Sequence, residues 1–118
     1  MMNFEKLKVY QDAIILAIDI YKLTSKFPKE EVFGIVSQLR RAAVSISLNI
    51  AEGSGRGPKE FSHFLIMARG SCHELIPLLK ISLELNYLHL SDYQQFYERI
   101  DNLTRRINAL RKSVNSQL

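Results

Sequence analysis

The chain has 118 residues, of which 47% are hydrophobic and 24% are charged, and its net charge is +4. This balance predicts one globular domain, residues 1–118, and excludes a disordered or collagen-like chain. A single cysteine excludes an internal disulfide. The chain lacks a run of about eighteen apolar residues, and its first residues lack the pattern of a signal peptide. We therefore expect a cytoplasmic protein without a membrane partner.

Apolar residues recur three and four positions apart along most of the chain, which predicts helices. The predicted helices are residues 6–24, 28–52, 58–86 and a fourth helix that begins at Ser91. Pro28 and Pro58 suit a first helical turn, and Ser91 and Gln94 have the spacing of a capping box. Pro77 removes one backbone hydrogen bond within the third helix, so we expect a kink in one continuous element.

The second predicted helix has apolar residues on two sides. One stripe contains Val36, Leu39, Ala43, Ile46 and Ile50, and the other contains Phe33, Val44, Leu48 and Ala51. The third helix also has a second apolar side, although a surface helix needs only one. Because short connections favour antiparallel neighbours, the fold class we predict is all-α, an antiparallel up-down-up-down four-helix bundle. Self-association as a homo-oligomer would cover the remaining apolar side.

A polar stripe lies on the third side of the second helix. It contains Arg41, Ser45, Asn49 and Glu52. Glu52 and Arg56 are four residues apart, so they can pair along the helix. Asn49 can reach a neighbouring helix, for instance at Ser71. The stripe fits either a hydrogen-bonded network that fixes helix register or a subunit interface, or else an open polar groove for a ligand.

The positive charge is concentrated near the end of the sequence. Residues 99–118 contain five basic side chains against Asp101 alone: Arg99, Arg105, Arg106, Arg111 and Lys112. Arg56 and Lys59 flank the predicted start of the third helix, where free backbone amides can hold an anion. Both groups fit phosphate contacts, but a solvated face for the first and an ordinary helix-helix turn for the second are the simpler explanations.

Residue spacing argues against an enzyme. Glu60 and His63 have the Glu-x-x-His spacing of di-iron bundles, but such a site needs a second copy of this element and two further glutamates. Cys72 and His73 are adjacent on one helix, where side chains point about 100° apart and cannot act as nucleophile and base. We therefore expect no catalytic residues, no metal site and no cofactor, and a buried thiol at Cys72.

Several sequence blocks resemble a bacterial four-helix bundle family that is named for proteins encoded in intervening sequences of 23S ribosomal RNA genes. These blocks are FEKLKVYQ at 4–11, TSKFP at 24–28, QLRRAAVSI at 38–46, NIAEGSGR at 49–56, FSHFL at 61–65 and GS at 70–71. The resemblance implies an up-and-down four-helix protomer that forms homo-oligomers, often pentamers. The accessory variability proteins of diversity-generating retroelements are similar in fold and are thought to bind nucleic acid, so the analogy implies such a partner here.

Two functional hypotheses follow from the sequence. The first is a non-enzymatic, homo-oligomeric adaptor or chaperone that binds RNA or DNA through its phosphates. Its predicted contacts are Arg56, Lys59, Arg99, Arg105, Arg106, Arg111 and Lys112. The alternative is a scaffold that binds another protein, in which the basic residues only provide solubility.

Overall fold

The computed structural model describes residues 2–118, which form four α-helices and two short 3-10 turns. The helices are α1 (Lys8–Thr24), α2 (Ile35–Ser54), α3 (Pro58–Glu84) and α4 (Leu90–Asn115). The 3-10 turns Asn3–Lys6 and Lys29–Glu31 precede α1 and α2. No strand occurs within residues 2–118, so the predicted all-α class is confirmed. None of the helices in this range is long and apolar enough to span a membrane.

Side-chain contacts establish how the helices run. The Arg40 Nε, near the start of α2, donates to the Thr24 Oγ1 at the end of α1 over 2.9 Å. Arg99 and Arg106 of α4 pair in reverse order with α1 carboxylates, and α2, α3 and α4 follow one another through connections of three and five residues. Successive helices therefore run in opposite directions, and the particle measures 46 × 22 × 20 Å.

The predicted core stripes of all four helices meet inside this arrangement. Every member of the first α2 stripe is buried. The largest fully buried side chains are Ile20, Leu39, Ile46, Ile50, Leu65, Leu75, Leu79, Ile100 and Ile107. Because each helix contributes to one continuous apolar cluster, the helices cannot separate without exposing it to water.

The start of α2 differs from the prediction. The predicted helix began at Pro28, but α2 begins at Ile35, and Gly34 has a ψ of −116°, outside the helical range. Glu30 and Glu31 therefore lie in the 3-10 turn rather than in the first turn of α2. Apolar spacing continued through this segment, which concealed the interruption in the backbone.

The start of α4 also differs, by two residues. Its N-cap is His89, not Ser91, and the Asp92 carboxylate accepts a hydrogen bond from the His89 backbone amide over 3.3 Å. An ionised carboxylate is a stronger acceptor than a hydroxyl, and it also interacts favourably with the helix dipole. At the end of α3, helical structure stops at Glu84, and Asn86 has a φ of 62°. The predicted third helix was therefore two residues too long.

Pro77 lies inside α3, and the helix continues across it from Pro58 to Glu84. The prediction of one continuous element is confirmed. Pro77 is exposed to solvent, while its neighbours Leu75 and Leu78 are buried. The proline therefore occupies the outer side of the helix, where its ring avoids the packed core.

The second apolar sides of α2 and α3 remain partly exposed on this single chain. Leu48 of α2 is 62% exposed, and Ile81 of α3 is 50% exposed. Phe33 was predicted on the second α2 stripe, but it lies outside the helix and is 95% exposed. The predicted excess of apolar surface is therefore present, although Phe33 is not part of the helical stripe.

Candidate nucleic-acid interface

The fold brings three separate basic segments to one end of the bundle. The N-terminus, the turn between α2 and α3, and the C-terminus all lie at this end because the helices alternate in direction. We define the basic end as residues 2–15, 46–71 and 103–118. It contains nine Lys and Arg against four Asp and Glu, a net charge of +5. The opposite half contains seven Lys and Arg against eight Asp and Glu.

Six of the seven predicted phosphate contacts belong to the basic end. They are Arg56, Lys59, Arg105, Arg106, Arg111 and Lys112. Arg99 lies in the opposite half, where its guanidinium pairs with the Asp19 carboxylate over 2.8 Å. Position along the bundle therefore separates Arg99 from the others.

Arg56 is held by two carboxylates at the turn between α2 and α3. Its guanidinium lies 2.6 Å from the Glu52 Oε1 and 2.9 Å from the Glu60 Oε2, so the predicted pairing with Glu52 is confirmed. The hydrogen bonds that Arg56 donates to the Glu52 and Glu60 carboxylates raise the pKa of Arg56. The guanidinium also lies over the Phe64 ring, 5.0 Å from its centroid. A phosphate here would have to compete with two acidic groups.

The α4 arginines differ in their partners. Arg106 reaches across to α1 and pairs with Asp12 over 2.7 Å, whereas Arg105 pairs with Asp101 on its own helix over 3.1 Å. The Arg105 side chain is 71% exposed, compared with 33% for Arg106. Arg106 therefore joins two helices, and Arg105 is the more accessible to a ligand.

Five basic side chains at this end form no ion pair with any of residues 2–118: Lys6, Lys59, Arg69, Arg111 and Lys112. Arg69 instead donates a hydrogen bond to the Asn108 Oδ1 over 3.0 Å. Lys6, Lys59 and Lys112 are exposed. Arg111 is half-buried, and its Nε is enclosed without an acceptor among the described residues. Lys6, Lys59 and Lys112 are both exposed and free of ion pairs with the described residues, so their positive charge is the most available to an anionic partner.

The polar stripe of α2 is divided between two clusters. The Asn49 Nδ2 donates to the Ser45 backbone oxygen over 2.8 Å, and the Ser71 hydroxyl of α3 lies 2.9 Å from the Ser45 hydroxyl. Arg41 and Ser45 line a groove of about 460 Å³ between α2 and α3. Glu52 instead pairs with Arg56, as described above. The sequence suggested either a hydrogen-bonded network or an open groove on this side of α2. In the structure, Ser45 belongs to both.

The residues considered for catalysis lie apart in the structure. Cys72 is completely buried and His73 is exposed, so their side chains occupy different sides of α3. Burial raises the pKa of the Cys72 thiol to about 11, and the expected buried thiol is confirmed. Across residues 2–118, no three His, Cys, Asp or Glu side chains are grouped as a metal site would require.

Sequence reasoning missed the carboxylates that face the α4 arginines. Asp12 and Asp19 lie seven residues apart on α1, as do Arg99 and Arg106 on α4. This matched spacing was a usable signal, since residues seven apart occupy the same side of a helix. It becomes informative only once α1 and α4 are known to be neighbours.

The structure defines an all-α protein of the four-helix class with one basic end. Residues 5–109 match the family described as 23S rRNA-intervening sequence protein, so the chain belongs to that family. The resemblance seen in the sequence blocks is therefore confirmed.

A crystal structure of a protein with unknown function from the S23 ribosomal protein family, from Bacteroides thetaiotaomicron VPI-5482, has a similar fold. The TM-score is 0.81 at 20% sequence identity, and the match covers 88% of this chain and 95% of that chain. At this identity the likeness shows the fold alone. No curated protein matches the chain.

Proposed function

We propose that the protein is a non-enzymatic nucleic-acid-binding adaptor or chaperone that works as a homo-oligomer and contacts phosphates through its basic end. The observation that carries this proposal is the difference in charge between the two halves, +5 against −1. The family description refers to an rRNA intervening sequence, which makes RNA the first partner to test.

The separation of charge matters more than the net charge of +4. If the same net charge were spread evenly over the surface, phosphate would bind one part of the surface about as well as another. Here, Lys59 and Lys112 lie at the end that also has the fewest carboxylates. Their positive potential adds at short range and falls off over roughly a Debye length, about 8–10 Å at physiological salt. An anionic polymer is therefore directed to this end.

The basic end favours contact with the backbone of the nucleic acid rather than with its bases. Its unpaired side chains are mainly lysines, which act as point charges without the bidentate geometry that reads guanine. Aromatic side chains on the described surface are not arranged in a strand platform for stacking, since the fold is helical throughout. We therefore expect little sequence preference.

Self-association would increase the effect of a modest charge. The exposed apolar residues Leu48, Ile81 and Leu85 give a reason for the chain to associate, because covering them removes apolar surface from water. Each added copy would bring another basic end to the same assembly, and several weak contacts on one RNA would act together. The pentamer implied by the family resemblance is one such assembly.

The test is a fluorescence titration of the protein against a structured RNA and a duplex DNA, at salt concentrations from about 50 to about 200 mM. Binding through phosphates releases counterions, so the logarithm of the binding constant should fall linearly with the logarithm of salt concentration, by about 0.7–0.9 per phosphate contacted. If neither the RNA nor the DNA binds at the lowest salt concentration, the proposal is contradicted.

A protein-binding scaffold is the second candidate, and the exposed apolar side of α2 and α3 favours it. It makes a different prediction for the same titration, because a protein partner would not require the basic end. If the protein does not bind nucleic acid, the protein-binding scaffold remains as the candidate function.

A further inference from the structure

Phe33 is the most exposed large hydrophobic side chain among the described residues, at 95%. It lies between the 3-10 turn Lys29–Glu31 and the start of α2. A phenylalanine side chain gains considerable free energy when its apolar surface leaves water, so full exposure favours a contact outside the single chain.

The surrounding contacts keep this segment in place. A side chain at Gly34 would put its Cβ 2.8 Å from the Glu31 Oε1, so residue 34 packs directly against Glu31. The Glu31 carboxylate in turn accepts a hydrogen bond from the Tyr87 hydroxyl over 2.7 Å. Tyr87 also packs against Phe27, with ring centroids 5.3 Å apart. Phe33 is therefore presented by a segment that is tied to the connection between α3 and α4.

A cavity of about 340 Å³ lies next to the same segment, and its walls are mainly apolar. Its apolar lining residues are Phe27, Pro28, Val32 and Val36, and Lys29 and Arg40 also line it. Ligand pockets have volumes of roughly 300–1,000 Å³, so this cavity is large enough for a phenyl ring. Phe33 of the same chain does not line this cavity.

The charges around the two features are complementary. Glu30 and Glu31 precede Phe33 in sequence, whereas two cations, Lys29 and Arg40, line the cavity. Two copies that place Phe33 of one against the cavity of the other would bring the acidic residues of the first near these cations of the second. Such complementarity favours this pairing over random apolar contact.

We propose that Phe33 of one copy inserts into the cavity formed by Phe27, Pro28, Val32 and Val36 of a second copy. This inference rests on the proposed homo-oligomer and names its contact. Phe33 is the aromatic anchor of the interface, and the second copy supplies the pocket that removes it from water.

The first test measures mass by analytical ultracentrifugation across protein concentration. Phe33→Ala should raise the dissociation constant of self-association by about 30-fold or more, as expected for loss of a buried aromatic anchor. The variant should keep its helical circular dichroism, because Phe33 contributes little to the core of one chain. Ile15→Ala is the matched control: Ile15 is 51% exposed but lies on α1, away from the cavity.

The second test asks whether Phe33 and the cavity are partners. Val32→Glu places a charge in the cavity wall and leaves Phe33 intact, whereas Phe33→Ala leaves the cavity intact. Each variant alone should self-associate more weakly than the wild-type protein by about 30-fold or more, and an equimolar mixture should recover association between the two different variants, because one keeps Phe33 and the other keeps the cavity. If the wild-type protein associates but Phe33→Ala associates equally well, or if the mixture associates no more tightly than either variant alone, the contact is overturned while self-association stands. A wild-type protein that stays monomeric would overturn both.

Discussion

At the level of single residues, Gly53 determines how closely α2 and α3 approach each other. A Cβ at this position would lie 2.5 Å from the Phe64 Cβ and 3.0 Å from the Phe61 Cδ1. Two aromatic residues of α3 thus pack directly on the α2 backbone. Gly70 lies within α3, and a Cβ there would meet nothing within 4 Å.

These two glycines predict opposite effects of the same substitution. Gly53→Ala should lower the free energy of unfolding by about 1–3 kcal/mol, since the added methyl group displaces Phe64. Gly70→Ala should raise it by about 0.5–1 kcal/mol, because alanine favours the helix and meets open space. Urea unfolding of both variants measures the two changes. Equal stabilisation by both substitutions would contradict the close packing at Gly53.

Contacts between residues that are close in the sequence were predictable, whereas contacts between distant residues were not. The pairing of Glu52 with Arg56 was predictable because the two residues lie four apart on the chain, and Cys72 was predictable as buried from its place in an apolar stripe. The partners of Arg99 and Arg106 were not, because α1 and α4 are distant in sequence. Local geometry is contained in residue spacing, whereas contacts between helices require the topology.

At the level of elements, α1 and α4 are connected by charged side chains. Two ion pairs, Asp12 with Arg106 and Asp19 with Arg99, connect them. Between these pairs lies a cavity of about 230 Å³ whose lining includes Ile15 and Leu103. The two ion pairs therefore connect α1 and α4 where apolar side chains do not fill the space between the helices.

The Asp12 pair predicts a pH-dependent contribution to stability. Partial burial alone would raise the pKa of the Asp12 carboxyl, but hydrogen bonds from Arg106 and Lys8 outweigh it and lower the pKa. The ionised carboxylate therefore stabilises the fold above the ordinary aspartate pKa of about 3.9, and this contribution is lost as the pH falls through the lower, folded-state value.

We expect Asp12→Asn to lower the free energy of unfolding by less than about 1 kcal/mol at pH 7, because the pair is only partly shielded from water. The difference from the wild-type protein should shrink as the pH falls below about 4. Urea unfolding at several pH values measures it. Asp101→Asn is the control, since Asp101 pairs only with Arg105 of its own helix and should have a smaller effect. A difference that is constant with pH would refute this role of Asp12.

Helix number and core stripes were predictable, while three helix starts were not, since α1 also begins two residues later than predicted, at Lys8. Apolar periodicity gave the buried side of every helix, since burial follows the helical repeat. It did not show the break before α2, because Val32 and Phe33 continue an apolar pattern through a segment that is not α-helical. At α4, the capping-box spacing of Ser91 and Gln94 predicted the start at Ser91, but the N-cap is His89, whose backbone amide donates to the Asp92 carboxylate.

At the level of the whole molecule, the main property is the unequal distribution of charge along the long axis. The sequence showed the charge of residues 99–118 and, separately, the pair Arg56 and Lys59, but it did not show that these two groups, apart from Arg99, lie at one end. The basic end also includes Lys6, Lys59 and their neighbours, which come together because alternate helices reverse direction. Thus the candidate residues were largely predictable from composition, but their grouping required the fold.

Two pairs of lysines provide a matched comparison of the ends. Lys59 and Lys112 are exposed at the basic end, and Lys22 and Lys26 are exposed in the opposite half. None of these four forms an ion pair with another described residue. Replacing either pair by alanine removes the same charge from the protein, so any difference in binding reports position rather than net charge.

The most direct measurement is the salt dependence of RNA binding by Lys59→Ala/Lys112→Ala and by Lys22→Ala/Lys26→Ala, each compared with the wild-type protein. We predict that the first double variant binds more weakly. Its plot of log binding constant against log salt concentration should also be less steep, by about 1 for each phosphate contact removed. The second should retain the wild-type slope. Equal losses in both variants, or a loss only in the second, would contradict binding through the basic end.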